Sequence, residues 1–508
     1  MKKRLFTLFL MLAAMTASAV AQEMYAVLSN DESVLTFYYD NQKAKRKGMD
    51  VGSWYDAYWR ELVTKVVFDA SFTHARPKKT SNWFGSFENM EKIEGMEYLN
   101  TSEVTDMYGM FSDCFALTSL DVTGFNTENV TNMTCMFSGC SGLTSLDVRG
   151  FKTDNVKYMG GMFDQCGSLK SLDVTGFKTD NVEYMDDMFW LCSSLTSLDV
   201  SGFKTDNVKY MGGMFSGCHS LTSLDVTGFK TDNVMDMAEM FSGCSGLTRL
   251  DVTGFNTENV TGRDGLGGMC GMFSGCSGLT SLDVSGFKTD KVPYMGGMFQ
   301  DCSGLTSLDV SGFKTDNVKD MSYMFYGCSG LTSLDVTGFK TDNVKDMSYM
   351  FSGCSGLTSL DLSGFKTDNV EYMSRMFQGC SSLTTIYAGE GWSTAKLKRG
   401  IYQNLYIMFD GCTSLVGGAG TKYDASWTYY DRAHLDSKEN PGYFTAKAGG
   451  TGELAESDLT EDGKLDADDI VTLVTMLLNK DPKADMNHDG NLDIADLIWL
   501  LNLILDKE

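Results

Sequence analysis

Apolar residues in the middle of the chain recur with a fixed period of 26 residues. A phenylalanine marks the same point of each repeat, and only two steps between successive markers are longer, at 32 residues. The marker residues are Phe111, Phe137, Phe163, Phe189, Phe215, Phe241, Phe273, Phe299, Phe325, Phe351, Phe377 and Phe409. A constant period of this length is typical of a solenoid, in which each repeat forms one coil that contacts its neighbours.

The polarity pattern within one repeat predicts how a coil folds. In Leu331–Val336, alternation predicts a short strand that turns two apolar side chains inward and leaves Ser333 and Asp335 outside. In Val344–Cys354 the apolar residues are three or four apart, which is typical of a helical or 3₁₀ segment. Since one repeat cannot bury its own apolar groups, the coils must stack. The sequence therefore predicts an α/β fold: a right-handed, leucine-rich-repeat-like parallel β-solenoid with one strand per coil.

A second column is formed by cysteines that follow each marker phenylalanine by three residues. It contains twelve of the fourteen cysteines, and only Cys135 and Cys270 lie outside it. This spacing is unlike that of a zinc site, and we interpret the column as small buried thiols at a tight corner. Disulfides and a soft-metal ladder stay open as alternatives. The methionines have the same periodic spacing and are interpreted as core filler rather than copper ligands.

Two polar columns accompany the apolar ones. The asparagine column, from Asn129 to Asn369, is predicted to hold buried amides that satisfy backbone groups where the coil turns. The aspartate column, from Asp121 to Asp361, is predicted on the outer face, where like charges on neighbouring strands are unfavourable by about 0.2–1 kcal/mol per pair. Solvent, a lysine column or cations would compensate. This face is either a solvated surface that opposes aggregation or a binding face for a basic or glycan partner.

The two ends of the chain differ from the repeats. The start has a basic group, the apolar run Leu5–Ala14 and small residues up to Ala21, which predicts a signal peptide and hence a secreted, extracellular or cell-surface protein. Segments Ala26–Leu28 and Val34–Tyr39 predict a hairpin. No later apolar run reaches the ~20 residues that cross a membrane. The predicted boundaries are 1–21 for the signal peptide, 22–82 for an N-terminal cap, 83–412 for the leucine-rich-type repeats, 413–445 for a C-terminal cap, 446–453 for a linker and 454–508 for a small all-α domain.

The negative charge of the chain is most informative at its C-terminal end. The whole chain carries a net charge of −25, which argues against nucleic acid and anionic membranes as partners. From Glu453 to Glu508 there are 15 acidic residues and 4 lysines, so −11 of that charge lies in this segment. The segment therefore requires its own explanation.

Two 12-residue stretches in this segment, 458–469 and 485–496, align with each other. Each has oxygen-bearing side chains at positions 1, 3, 5 and 12, a backbone carbonyl at position 7 and glycine at position 6, which is the pattern of an EF-hand calcium loop. Two bound Ca²⁺ ions are predicted. Their predicted ligands are Asp458, Thr460, Asp462, Lys464 through its carbonyl, Asp469, Asp485, Asn487, Asp489, Asn491 through its carbonyl and Asp496. The helix predicted after the second loop is apolar all round, so we expect an exposed patch that a partner covers.

These motifs carry two resemblances. The repeat Met-Phe-x-x-Cys-x-x-Leu-x-x-Leu-Asp-Val-x-Gly-Phe-x-Thr-x-Asn-Val resembles the BspA-like leucine-rich-repeat surface proteins of bacteria, over about residues 83–444. That resemblance implies adhesion, with a host matrix protein or a glycan as partner. The tail resembles a type I dockerin through its duplicated loops, which implies calcium-dependent docking to a cohesin-like or other partner. The family's usual Ser-Thr recognition pair is replaced by Ala467-Asp468 and Ile494-Ala495.

The sequence favours a non-enzymatic function. The four histidines are scattered, and no carboxylate pair is distinguished from the repeated aspartates as an acid and base. We therefore predict a secreted or cell-surface adhesion and protein-interaction solenoid with a calcium-folded docking tail. The alternative is a non-catalytic or accessory component of a polysaccharide-degrading, cellulosome-like assembly. A purely structural spacer is a third interpretation.

Overall fold

The structure is a computed structural model. Its described part begins with an N-terminal sheet. That part comprises residues 21–52, 54, 57–262, 267–398, 407–447, 459–460, 467–480, 484, 486 and 494–505. The predicted signal peptide, most of the insertion before Phe273 and most of the calcium loops lie outside these residues.

The N-terminal cap is a five-stranded sheet. Its elements are β1 (Glu23–Leu28), β2 (Val34–Asp40), the short helix α1 (Lys43–Arg46), β3 (Met49–Asp50), β4 (Lys65–Phe68) and β5 (Lys92–Glu94). The strand order is β3-β1-β2-β4-β5, with β1 and β2 antiparallel, which confirms the predicted hairpin. Strand β4 pairs in parallel with both β2 and β5, which is also how neighbouring coils pair. Phe37 and Phe84 are buried and their ring centroids lie 5.7 Å apart, which joins this sheet to the repeats.

The repeats form a parallel β-solenoid of about twelve turns with one continuous core. The marker phenylalanines stack coil on coil, with ring centroids 5.6–6.0 Å apart and ring planes within 2–11° of parallel. Val344, Met347, Met350 and Cys354 are fully buried, as are their equivalents in nearly every coil. The predicted inward and outward positions are therefore confirmed. The handedness of the winding stays a prediction.

The predicted strand is absent from most of the described coils. It occurs only as β6 (Ser359–Leu362) and β7 (Thr385–Ala388), which pair in parallel with each other, while β7 also pairs with β8 (Phe444–Ala446). Elsewhere a turn ends at Leu117 or its equivalent, and the next aspartate binds the amide two residues later. In these coils most inter-coil bridges lie on another face, through single residues such as Tyr158 and Tyr184, and among the described residues only Ser171 and Ser197 bridge on the predicted strand face.

The predicted helical or 3₁₀ segment is also wrong. Around Met107–Asp113, alternate backbone amides bind carbonyls of the next coil, and the amides between them form turns to residues three back. For example, the Phe111 amide binds the Met136 carbonyl, whereas the Met110 amide binds the Met107 carbonyl. The spacing of apolar residues by three and four therefore comes from a series of tight turns whose amides bond to the next coil. It does not come from a helix with hydrogen bonds within one segment.

Buried threonines join neighbouring coils, a role that the sequence analysis assigned to asparagine. Thr205 is fully buried, and its Oγ1 both donates to the Lys230 carbonyl at 2.8 Å and accepts from the Lys230 amide at 2.7 Å. The asparagines do bind backbone carbonyls, as Asn207 does to Asp180 at 2.7 Å, but they are exposed rather than buried. This threonine column comprises Thr101, Thr127, Thr153, Thr179, Thr205, Thr231, Thr257, Thr289, Thr315, Thr341 and Thr367.

The cysteine column has the structural role that we favoured. All fourteen cysteines are free, and the twelve in the column are buried. Each column thiol points at the carbonyl of the marker phenylalanine one coil back, as Cys244 does to Phe215 at 3.1 Å. The small polar Sγ thus satisfies a carbonyl at a corner where a larger side chain would not fit.

Two amphipathic helices represent the tail. Helix α2 (Ala467–Leu478) and helix α3 (Ile494–Leu505) pack through the fully buried Leu473 and Leu500, and Ala484 and Met486 are buried beside them. Val471, Leu478 and Ile494 are more than half exposed, so both helices leave apolar side chains in contact with solvent, and a partner that covers them stays a prediction. No described helix is both long and apolar enough to cross a membrane.

Candidate interaction surfaces and calcium loops

The aspartate column lies on the solvent face of the solenoid, where its charge is compensated locally. Asp225 Oδ1 accepts hydrogen bonds from the Thr227 amide at 3.0 Å and from Thr227 Oγ1 at 2.7 Å, and the same turn recurs in most coils. These bonds hold the pKa of the Asp225 carboxyl below its usual value. The lysine column, proposed as a counter-charge, instead makes ion pairs with other rows, such as Lys288 with Glu258 at 2.9 Å.

This face forms a shallow open groove of about 620 Å³ around the sixth coil. Asp225, Asp251 and Asp283 line it, together with Arg249, which replaces the serine of other coils. The groove repeats the same polar groups in each coil, so it offers an extended surface rather than one distinctive pocket. Such a surface suits a long partner that contacts several coils.

The structure describes three of the ten predicted calcium ligands. Thr460, Asp469 and Asp496 lie within the described residues, whereas Asp458, Asp462, Lys464, Asp485, Asn487, Asp489 and Asn491 lie outside them. No cluster of metal-binding side chains is complete among the residues that are described. The predicted calcium sites therefore stay a prediction.

The two described loop-end aspartates fit a cation site. Asp469 and Asp496 occupy position 12 of their loops, and both are fully buried at the start of a helix. The Asp469 carboxylate accepts from the Thr460 amide at 3.1 Å, and that of Asp496 accepts from the Met486 amide at 2.8 Å. Burying a carboxylate is unfavourable unless hydrogen bonds or a cation compensate, so these residues fit a loop that closes around a metal ion.

A third surface was missed in the sequence analysis. The residue two positions before each marker phenylalanine differs from coil to coil, and its φ lies between 53° and 63° from Gly109 through Arg375. We call this row the variable column: Gly109, Cys135, Gly161, Asp187, Gly213, Glu239, Gly271, Gly297, Tyr323, Tyr349 and Arg375. Glycine adopts this conformation without strain, whereas bulky residues rarely do. Their presence, among repeats that are otherwise nearly identical, was the available signal.

Acidic side chains crowd one part of the variable column. The Asp187 carboxyl has its pKa raised to about 6 by burial, and the negative charges of Asp186 and Asp164 add to the effect. Burial also raises the pKa of the Asp164 carboxyl. This region therefore combines buried carboxyl groups with repulsion between neighbouring carboxylates.

The described histidines do not assemble a catalytic site. His219 Nδ1 lies 2.6 Å from the Gly243 carbonyl, and His434 Nδ1 lies 2.9 Å from the Leu435 carbonyl, so both bind backbone. His74 ends a 3₁₀ turn in the N-terminal cap, far along the chain from both. The described residues therefore give these histidines local structural roles.

The fold defines a repeat protein built from stacked 26-residue coils. A family model described as "Mycoplasma protein of unknown function, DUF285" matches residues 78–197, 166–266, 251–335 and 306–418. These matches cover more than half of the chain, and the chain therefore belongs to this family.

Solved structures include similar chains. One is a leucine-rich repeat protein from Eubacterium ventriosum ATCC 27560, with 17% sequence identity and a TM-score of 0.35. The alignment covers 76% of this chain and 99% of that one. The search of curated proteins found no match.

Proposed function

We propose that the chain is an exported, non-enzymatic adhesion protein that binds a macromolecular partner along its solenoid. One observation supports this above all: the exposed Asp and Thr/Ser positions recur in register along the coils, which builds a continuous polar face. A repeated face offers many equivalent weak contacts that add along one extended ligand. The acidic groups favour a basic region of a matrix protein, and the hydroxyl groups also suit a glycan.

The binding face is tested with the mature chain, residues 22–508, against immobilised matrix proteins and glycans. Replacing Asp225, Asp251 and Asp283 by asparagine removes charge from the groove, and we expect a weaker partner signal with less dependence on salt. The matched control replaces the exposed aspartates of another row, Asp180, Asp206 and Asp290. Equal loss in both triple variants would show that net charge alone, rather than this face, determines binding.

We further propose that the tail binds two Ca²⁺ ions and docks the protein to a second partner. Asp469 and Asp496 support this, because each is a buried carboxylate at the end of its loop and the start of its helix. The remaining ligands would be the loop residues named above. Bound Ca²⁺ would neutralise the loop carboxylates and hold each loop against its helix.

Calorimetric titration of the mature chain with Ca²⁺ tests the tail. We expect two bound ions in the native chain and one in each of the variants Asp469→Asn and Asp496→Asn. Asp121→Asn is the control, because it removes a carboxylate of the solenoid. No calcium binding in the native chain would overturn the proposal of a calcium-folded docking tail and leave the solenoid faces as the candidate binding sites.

The second candidate is an accessory role in a polysaccharide-degrading assembly. The paired loop-end aspartates favour it, because they are what a calcium-dependent dockerin-like module needs. Binding of the mature chain to a cohesin, with Ca²⁺ and with a chelator, distinguishes the candidates. Binding that requires Ca²⁺ would favour the assembly, whereas its absence would leave adhesion.

A further inference from the structure

The variable column contains an open cleft that none of the comparisons assigns. It has a volume of about 380 Å³ and lies where Gly271 and Gly297 leave two consecutive coils without a side chain. Glu239 bounds it on one side and Tyr323 on the other. The cleft is therefore a gap in the column, two coils wide, between an acidic residue and an aromatic one.

The aromatic wall presents one ring face to this gap. Tyr323 stacks on Tyr349 of the next coil, with ring centroids 4.6 Å apart and planes 9° from parallel. Its opposite face is directed towards the coil of Gly297, and the side chain remains 36% exposed. Both tyrosines adopt a positive φ, 57° and 60°, where glycine would avoid strain of about 1–3 kcal/mol.

The same stack already binds a cation at its other end. The Arg375 guanidinium lies 5.7 Å from the centroid of the Tyr349 ring, on the coil beyond. A guanidinium within about 6 Å of an aromatic face is attracted by the negative potential of the ring. In the stack Arg375–Tyr349–Tyr323, a guanidinium thus covers the outer face of one ring, and the ring face towards the cleft is uncovered.

The polar groups of the cleft favour a second cation. Carboxylates of Glu239 and Asp320 line it together with the Gln300 amide, and none of its lining residues carries a positive charge. Asp320 Oδ1 accepts from the Ser322 amide at 2.8 Å, which fixes the carboxylate at the rim. Two carboxylates and an open ring face together suit a planar cation that forms hydrogen bonds at its edge.

From this geometry we propose that the cleft binds an arginine side chain presented by a partner polypeptide, with the guanidinium stacked on Tyr323 and bonded to Asp320, and with the Glu239 carboxylate facing it across the gap. The proposal deepens the proposed interaction function by naming the chemistry of one subsite. The calcium titration does not test this cleft. Disproof of the calcium-binding docking tail would therefore leave the proposed arginine subsite unaffected. A lysine would fit less well, because its ammonium group is not planar.

The test is saturation-transfer NMR with the mature chain and N-acetylarginine amide at 0.15 M salt, where weak surface attraction is screened. We expect saturation of the arginine side-chain protons by the native chain, and roughly tenfold weaker binding by the variants Tyr323→Ala and Gly297→Tyr. The second variant fills the gap with the residue that the next two positions of the column, Tyr323 and Tyr349, carry at nearly the same φ, so the coil is expected to fold. Tyr158→Ala is the control, since Tyr158 is 40% exposed outside the cleft.

Several outcomes would overturn the proposal. If Gly297→Tyr binds arginine amide as the native chain does, the cleft is not the site. If methyl glucoside is saturated and arginine amide is not, the ring face serves a sugar instead. If neither probe is saturated and Tyr323→Ala only lowers thermal stability, the tyrosine stack is a structural contact alone.

Discussion

A threonine hydroxyl serves as a backbone partner at every junction between the described coils. Thr231 Oγ1 donates to the Asn256 carbonyl at 2.9 Å and accepts from the Asn256 amide at 2.7 Å. Serine has the same hydroxyl, but it lacks the methyl group and the restricted χ1 of threonine. The invariance of threonine at this position in the described coils is consistent with that need, while the exposed turn position accepts both Thr227 and Ser201.

The residue scale gives a first prediction, on the threonine column. Thr205→Val removes two hydrogen bonds to the Lys230 amide and carbonyl, each worth about 0.5–1.5 kcal/mol. We expect hydrogen exchange of the peptide around Lys230 to become roughly tenfold faster or more, measured by mass spectrometry. The control Thr222→Val alters an exposed threonine of the same coil and should leave this exchange unchanged. Equal exchange in the two variants would contradict the role assigned to the buried hydroxyl.

A second prediction concerns Asp187, whose folded pKa of about 6 lies above its ordinary value of 3.8. A carboxyl with a raised pKa binds its proton more tightly in the folded chain, so its contribution favours folding at low pH and is lost as the pH rises through 6. Asp187→Asn should therefore raise the thermal midpoint above pH 6 and have little effect near pH 4. Asparagine also tolerates the positive φ of this position.

The matched control for this pH dependence is Asp121→Asn. Hydrogen bonds from Thr123 lower the pKa of Asp121, so its stabilising contribution is present above its unfolded pKa and is lost as the pH falls through the folded value. The control should thus lower the thermal midpoint at neutral pH and have less effect in acid. Circular dichroism melts from about pH 2 to 7 measure both variants, because the contribution of Asp121 is lost only below its ordinary pKa of 3.8. Parallel curves for the two would disprove the assignment.

At the scale of one coil, the pattern of polar and apolar side chains predicted which residues are buried. It did not predict how the backbone is hydrogen-bonded. Leu334, Val336 and Phe339 are buried as alternation predicted, because burial depends on which side a residue faces. The helical segment was wrong, because the amide of Phe111 bonds to the next coil rather than along its own segment. The predicted strand forms in only two of the described coils, as β6 and β7. Inter-coil bonding leaves no trace in polarity, so the sequence could give the columns but not the bonds between them.

The candidate sites also differ in how far the sequence predicted them. The exposed aspartate column was predicted, because charge and period place it outside. The cleft at Tyr323 was not, because it arises from glycines on two neighbouring coils and a ring on a third. Only stacking of the coils brings these residues together. The variation between repeats at this position, from glycine to tyrosine and arginine, was nevertheless visible in the sequence.

The cysteine column gives a prediction at the element scale. Burial raises the pKa of column thiols such as Cys218, to about 12, and the ring stack shields them from reagents. Cys135 and Cys270 are only partly buried, with pKa values raised to about 11. Iodoacetamide labelling of the native chain at pH 8 should modify these two slowly and the column cysteines hardly at all. Labelling in denaturant is the control, and rapid native labelling of the column would contradict the packing.

The whole molecule is a stack closed at both ends. Phe84 stacks on Phe111 at one end, with ring centroids 5.4 Å apart, and the edge of Phe444 covers Phe409 at the other, at 6.0 Å. Between the caps each coil contacts the two beside it through the same phenylalanine, threonine and cysteine positions. Stability is then approximately the sum of coil and interface contributions.

Removing whole coils tests this additivity. Deletion of Phe163–Met214 removes two periods and joins Met162 to Phe215, so every column stays in register. We expect a folded chain with a cooperative thermal transition, shorter by ~10 Å in X-ray scattering, since strands in register lie about 4.8 Å apart. Deletion of Phe163–Gly176 shifts the columns by about half a coil and should not fold. A native-like out-of-register variant would disprove the coil as the unit.

Near-identity of the coils also has a consequence for inheritance. Because any coil can follow any other, unequal crossing-over between the DNA segments that encode them would add or remove whole turns and still give a folding protein. We therefore expect close relatives in a population to differ in length by multiples of 26 residues. The rows that alternate glycine with tyrosine would then be reshuffled at each such event, so that new clefts arise without any point mutation in the core.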